Sequence, residues 1–187
     1  MKRSMLLVLV ATILLLVWFN DVFVGYYVFV KECERSGGVK FNDAIDDNGG
    51  WLVSDEAAAQ SVVSSFSSIP FARFKSADGQ LMDVEYAGGN PWWDRSYNKK
   101  KADDRKVLYR WLSDSSPIAD KVRLMSFRTR LINEKNGLTT IEWLTYRFTW
   151  FDSENTLLGS STSVSCPPFN VGLQKIANYI AMRKKGS

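Results

Sequence analysis

The sequence predicts an α+β fold: an N-terminal transmembrane helix, then an antiparallel sheet of about five or six strands with flanking helices. Three observations lead there. Met5–Val30 is apolar apart from Asn20-Asp21. Lys121–Ile132 and Leu138–Phe151 alternate with the period of strands on either side of Asn133–Gly137, whose closing Asn-Gly favours a tight turn. Ala58, Val62 and Phe66, and later Leu173, Ile176 and Ile180, recur at the spacing of a helix face.

The N-terminal segment sets the domain plan. Met5–Phe19 is a run of 15 uncharged residues, and Val22–Val30 adds 9 more. A bilayer core of about 30 Å needs about 20 apolar residues at about 1.5 Å each, so a crossing draws on both runs. Asn20 and Asp21 then fall near the far interface, where a carboxylate is cheaper than at mid-membrane, unless Asp21 pairs with another membrane helix. Tyr26 and Tyr27 take interfacial positions or face a partner. Lys2 and Arg3 keep the N-terminus in the cytoplasm. The absence of an A-x-A-like site after the apolar core, and the return of hydrophobicity after Asp21, favour a signal anchor over a cleaved signal peptide. The expected layout is residues 1–32 as cytoplasmic tip and anchor, and 33–187 as one extracytoplasmic domain with a short basic tail.

Beyond the anchor, the glycine pair Gly37-Gly38 ends the first helix and Val39–Ile45 is a short strand. Asp46–Gly50 reads as a turn. Ser54 is the expected N-cap of a helix carrying Asp55 and Glu56 in its first turn, and Pro70 bars its continuation. Phe71–Lys75 and Leu81–Tyr86 form a hairpin about Ser76–Gln80. Ala87–Lys106 is the least regular stretch. Val107–Leu112 is a strand closed by a polar turn, and Leu138–Phe151 carries apolar residues on both faces, so both are covered or the strand is bulged. Thr156–Ser165 is a final strand stopped by Pro167-Pro168, after which Asn170 caps the last helix.

Composition excludes several chemistries. The chain has no histidine, which removes Ser-His-Asp triads, Cys-His pairs and the usual His-containing zinc sites. Two cysteines, Cys33 and Cys166, are too few for a cysteine-only metal site. Residues 31–187 hold 22 Lys+Arg against 19 Asp+Glu, a balance that makes no case for nucleic acid. The glycine pairs lack the spacing of a phosphate loop. No cofactor, metal or catalytic residue is expected.

Two sets of residues stand out. Trp92 and Trp93 precede Arg95, Lys99, Lys100, Lys101, Arg105 and Lys106, and tryptophan and arginine are enriched at binding hot spots. This is a candidate partner surface; the alternative is tryptophans folded over a sheet edge beside solubilising lysines. Cys33 and Cys166 each stand at an element boundary and, outside the cytoplasm, are free to form a disulfide closing a long loop. Two unpaired cysteines, or an intermolecular bond, are the alternatives.

The opening Cys33-Glu34-Arg35-Ser36-Gly37-Gly38-Val39-Lys40-Phe41 after an apolar segment, with Cys166 near the far end, resembles small uncharacterised bacterial single-pass inner-membrane proteins with a periplasmic domain. The resemblance implies inner-membrane placement and no activity. The expected function is that of a membrane-anchored, non-enzymatic envelope protein whose periplasmic domain binds another envelope protein, as an assembly subunit or immunity-type inhibitor. The alternatives are a module binding anionic membrane lipid or cell-wall polymer, and a carboxylate-dependent hydrolase.

Overall fold

The computed structural model describes residues 2–46, 48–89, 94–118, 123–150 and 162–184. The element order is α1 (Lys2–Ser36), β1 (Gly38–Phe41), β2 (Gly50–Leu52), α2 (Glu56–Ser65), β3 (Ala72–Lys75), β4 (Leu81–Gly88), β5 (Ser96–Lys101), β6 (Val107–Pro117), β7 (Leu124–Asn133), β8 (Thr139–Thr149), β9 (Ser163–Cys166) and α3 (Phe169–Lys184). The strands form one sheet in the order β1-β8-β7-β6-β2-β3-β4-β5, with β9 also paired to β8.

Among the described residues this sheet is nine-stranded and mixed, where the sequence predicts an antiparallel sheet of about five or six strands. The difference comes from short strands. Gly50–Leu52 falls at the end of a stretch that reads as a turn, yet it pairs in parallel with β3 on one side and β6 on the other. Three residues carry no readable alternation; the pairing is made by neighbours, with Gly50 donating to the Lys106 carbonyl and Trp51 to the Phe71 carbonyl. The path β2–α2–β3 is accordingly a crossover between parallel neighbours, the connection that parallel pairing demands.

The residues group into two compact units, one of Met1–Gly38, Ser115–Phe127 and Thr145–Pro168, the other of Val39–Asp114, Arg128–Leu144 and Phe169–Ser187. In the first unit, one face of the second half of α1 is packed on protein. Val22 and Phe29 are 7% and 3% exposed. A side chain at Gly25 would meet the Phe148 ring, and Tyr26 lies 4.7 Å from Trp150 between ring centroids. Asn20 is exposed, and Tyr27 lies under the Lys31 ammonium. The structure joins Cys33, near the end of α1, to Cys166 of β9, with Cα atoms 5.8 Å apart.

That packing corrects the anchor. Among the described residues no helix is long and apolar enough to cross a membrane. Within Val22–Val30, which a crossing needs, Val22, Gly25 and Phe29 are buried and Tyr26 and Phe29 meet Phe148, and the 15 residues of Met5–Phe19 fall short of the roughly 20 required. The transmembrane signal anchor, the single-pass inner-membrane topology, the periplasmic placement and the membrane-anchored envelope function built on them are therefore not supported.

In the second unit, α2 lays Ala59, Val62 and Val63 into a core with Trp51, Phe66, Phe74, Val84, Tyr109, Ile141 and Trp143. The N-cap is Asp55 rather than Ser54: its carboxylate accepts the Ala58 amide at 2.9 Å, while Ser54 donates its hydroxyl to Asp55. α3 starts one residue before Asn170, so Asn170 lies in the first turn instead of capping it. The α3 stripe is used as spaced: Ile176 and Ile180 are buried, and Gly172 lets the helix approach Trp143 where any Cβ would collide. Leu138–Phe151 has no one-sided pattern because the buried positions change parity along β8: Ile141 and Trp143 are buried, and further on Tyr146 and Phe148 are, while Arg147 between them is exposed.

Candidate functional site

The predicted partner residues fall on and around β5, which pairs with β4 and ends the sheet path. Trp92 and Trp93 lie outside the described residues. Arg95 donates to the Ser64 hydroxyl on α2 at 3.2 Å. Strand alternation then divides the lysines between two faces. Lys99 turns toward α2, with its ammonium 2.5 Å from Glu56 and 5.4 Å from the centre of the Phe74 ring. Lys101 is exposed on that same side. Lys100 turns the other way, to Glu85 at 2.9 Å and Asp103 at 3.8 Å. Lys106 is exposed and contributes its carbonyl to Gly50. The run Lys99–Lys101 is thus two half-patches, not one.

The face that Lys100 joins carries a cluster that composition does not reveal. Asp83 is fully buried, and Arg73 grips it with two parallel bonds of 2.6 and 2.9 Å. Arg105, from the connection after β5, adds a third contact at 3.2 Å and reaches Glu85 at 2.8 Å and Asp103 at 2.9 Å. Its guanidinium lies 4.1 Å from the centre of the Phe71 ring, and Arg73 lies 5.3 Å from it. Phe71 in turn sits where any side chain on Gly50 would be, with a Cβ there only 2.2 Å from the ring. Three carboxylates and three cations are interleaved over an aromatic floor.

The electrostatics follow from this pairing. The Lys100 ammonium, with help from Arg105, holds Glu85 below the usual carboxylate range, and Arg105 does the same for Asp103. The bond to Asp83 raises Arg73 further above its ordinary value. For Arg105, burial opposes the charge, but Asp103 and Glu85 outweigh it and the net shift is upward. Glu85 and Asp103 stay ionised, which suits neither of them to proton donation. Among the described residues no three His, Cys, Asp or Glu side chains are placed so that they could hold a metal ion; the three carboxylates here converge on Arg105 instead. The cluster is a clamp that fixes β3, β4 and the β5–β6 connection.

Arg73 and Asp83 are legible once the hairpin is: pairing Lys75 with Leu81 places Arg73 opposite Asp83 on one face. Arg105 and Phe71 have no such signal.

What β5 leaves open is backbone. Ala102 donates its amide to the Leu81 carbonyl at 2.9 Å. In an antiparallel ladder the inward-bonding residues then alternate, so Lys100 and Asn98 exchange bonds with Asp83 and Glu85. Tyr97, Lys99 and Lys101 turn their N–H and C=O groups away from β4. Tyr97 is half-buried against the core and faces Tyr86, 6.1 Å away between ring centroids. Among the described residues no strand lies beyond them.

No protein-family model, curated protein or solved structure matches the chain. The resemblance of the Cys33–Phe41 opening to bacterial inner-membrane proteins is overturned by that result and by the packing of α1; nine residues without a membrane span identify no family.

Proposed function

We propose that the chain is a binding domain that takes an extended segment of a protein partner along β5. The observation that carries this is the outward-turned backbone of Tyr97, Lys99 and Lys101 at the end of the sheet. A partner strand satisfies those donors and acceptors by extending the ladder, the mode in which main-chain bonds supply affinity and alternate side chains supply specificity. The rigid backing supports it: α2 closes one face of β4–β5, and the Arg73–Asp83–Arg105 clamp closes the other. A pre-ordered edge saves the partner part of the ordering cost of association.

The test uses the full chain and a displayed library of random peptides, with selection on the native protein and on Lys99→Pro. Proline at 99 removes an outward N–H but no bond to β4, and edge strands tolerate it. Selected peptides should slow amide exchange at Tyr97, Lys99 and Lys101 and should fail on Lys99→Pro. Peptides that bind both proteins equally and leave those three amides unprotected overturn the reading.

A further inference from the structure

We infer that the segment received by β5 is acidic at two alternate positions and apolar at a third, and that it is not a second copy of this chain. This rests on the edge-strand reading and names its ligand class. Residues of an added strand that lie directly opposite Tyr97, Lys99 and Lys101 share the face of those side chains, because both strands keep the pleat. Tyr97 offers a half-buried ring, Lys99 and Lys101 offer ammonium groups. An antiparallel ligand therefore presents acid, any residue, acid, any residue, apolar, facing Lys101 through Tyr97 in turn.

Lys99 already meets Glu56, but both side chains are 42% exposed, so the ammonium has room for a second carboxylate. Lys100 lies on the far face and is held by Glu85 and Asp103, so it contributes little to recognition. The same lysines exclude self-association. An antiparallel copy sets Lys99–Lys101 against Lys99–Lys101, and like charges opposite one another are a common device against edge-to-edge pairing. Charge complementarity thus chooses an acidic strand over another molecule of this protein.

The probe is a synthetic hairpin peptide closed by Asn-Gly, whose free strand reads Glu-Thr-Glu-Thr-Leu, alongside versions with both Glu replaced by Gln and with the strand's outward amides N-methylated. Binding is titrated calorimetrically on the full chain at low and at high salt. The Glu peptide should bind about tenfold more tightly than the Gln peptide, the sum of two exposed ion pairs. High salt should erase that gap, Lys101→Ala should reduce it severalfold, and Lys100→Ala should leave it unchanged. Equal binding of Glu and Gln peptides, with loss on N-methylation, overturns the acidic ligand and keeps the edge reading. Binding by none of the peptides, or indifference to N-methylation, counts against the edge reading itself. A dimer in sedimentation that Lys99→Pro abolishes overturns the exclusion of a second copy.

Discussion

The two faces of the β3–β4–β5 ladder are closed by opposite chemistry. On one, α2 presses Ala59, Val62 and Val63 against Phe74 and Val84, beside Trp51, Phe66 and Trp111. On the other, Phe71 carries a layer of guanidinium and carboxylate groups around a fully buried Asp83. The apolar face gains stability in proportion to area removed from water and keeps most of it when one contact is trimmed. The ionic face gains little net energy from each pair, yet loses heavily when one partner goes, because the charge left behind stays desolvated. One face is a reserve of stability; the other is a lock whose parts matter only together.

Four experiments break or sharpen that contrast. The largest effect is expected for Trp51→Ala. Its side chain is 1% exposed among Phe66, Tyr109 and Trp111, so the cavity should cost about 3–5 kcal/mol in urea denaturation. A loss under about 1 kcal/mol would show that the apolar face is not the main store of stability.

Next is Asp83→Ala, which takes both short bonds from Arg73, its side chain 12% exposed, leaves it the weaker contacts to Asp103, and should cost about 3 kcal/mol. The decisive comparison is the pair Arg73→Met with Asp83→Leu, which should recover most of that loss. Trp51→Ala has no such second-site rescue among its neighbours. If the double variant is as unstable as the single one, the cluster is not a lock of mutually dependent charges.

Third is acid. Glu85 and Asp103 have pKa values below their ordinary range in the folded state. Their contribution is therefore present above about pH 4, where the unfolded groups ionise, and is lost as pH falls through the lower folded values. Urea midpoints should drop between pH 6 and pH 3. Arg105→Gln should flatten that drop, whereas Trp51→Ala should shift the whole curve without changing its slope. An unchanged slope in Arg105→Gln would remove Arg105 as the cause.

The smallest effect belongs to the α2 cap. Asp55→Ala removes the bond to the Ala58 amide and should cost about 1 kcal/mol, with Asp55→Ser recovering most of it. A neutral Asp55→Ala would mean that α2 is held by its apolar face alone.

Several parts of this molecule were fixed by local sequence. The β3–β4 and β7–β8 hairpins follow from alternation and from Gly79 and Gly137, which adopt positive φ. The helix over Glu56–Ser65 and the buried Ile176 and Ile180 follow from four-residue spacing. In each case a residue's neighbours in sequence are also its partners in space, so the pattern carries the information. Tertiary structure decided the rest. β2 is a strand because β3 and β6 offer backbone on both sides of three residues. β5 hides in a lysine run because an edge strand has solvent on one side and shows no apolar alternation. Val22–Val30 has the hydropathy of a membrane segment because hydropathy records only that a residue avoids water. Whether Phe148 and Trp150 or lipid meets Tyr26 and Phe29 is a matter of residues more than a hundred positions away, which no local pattern encodes.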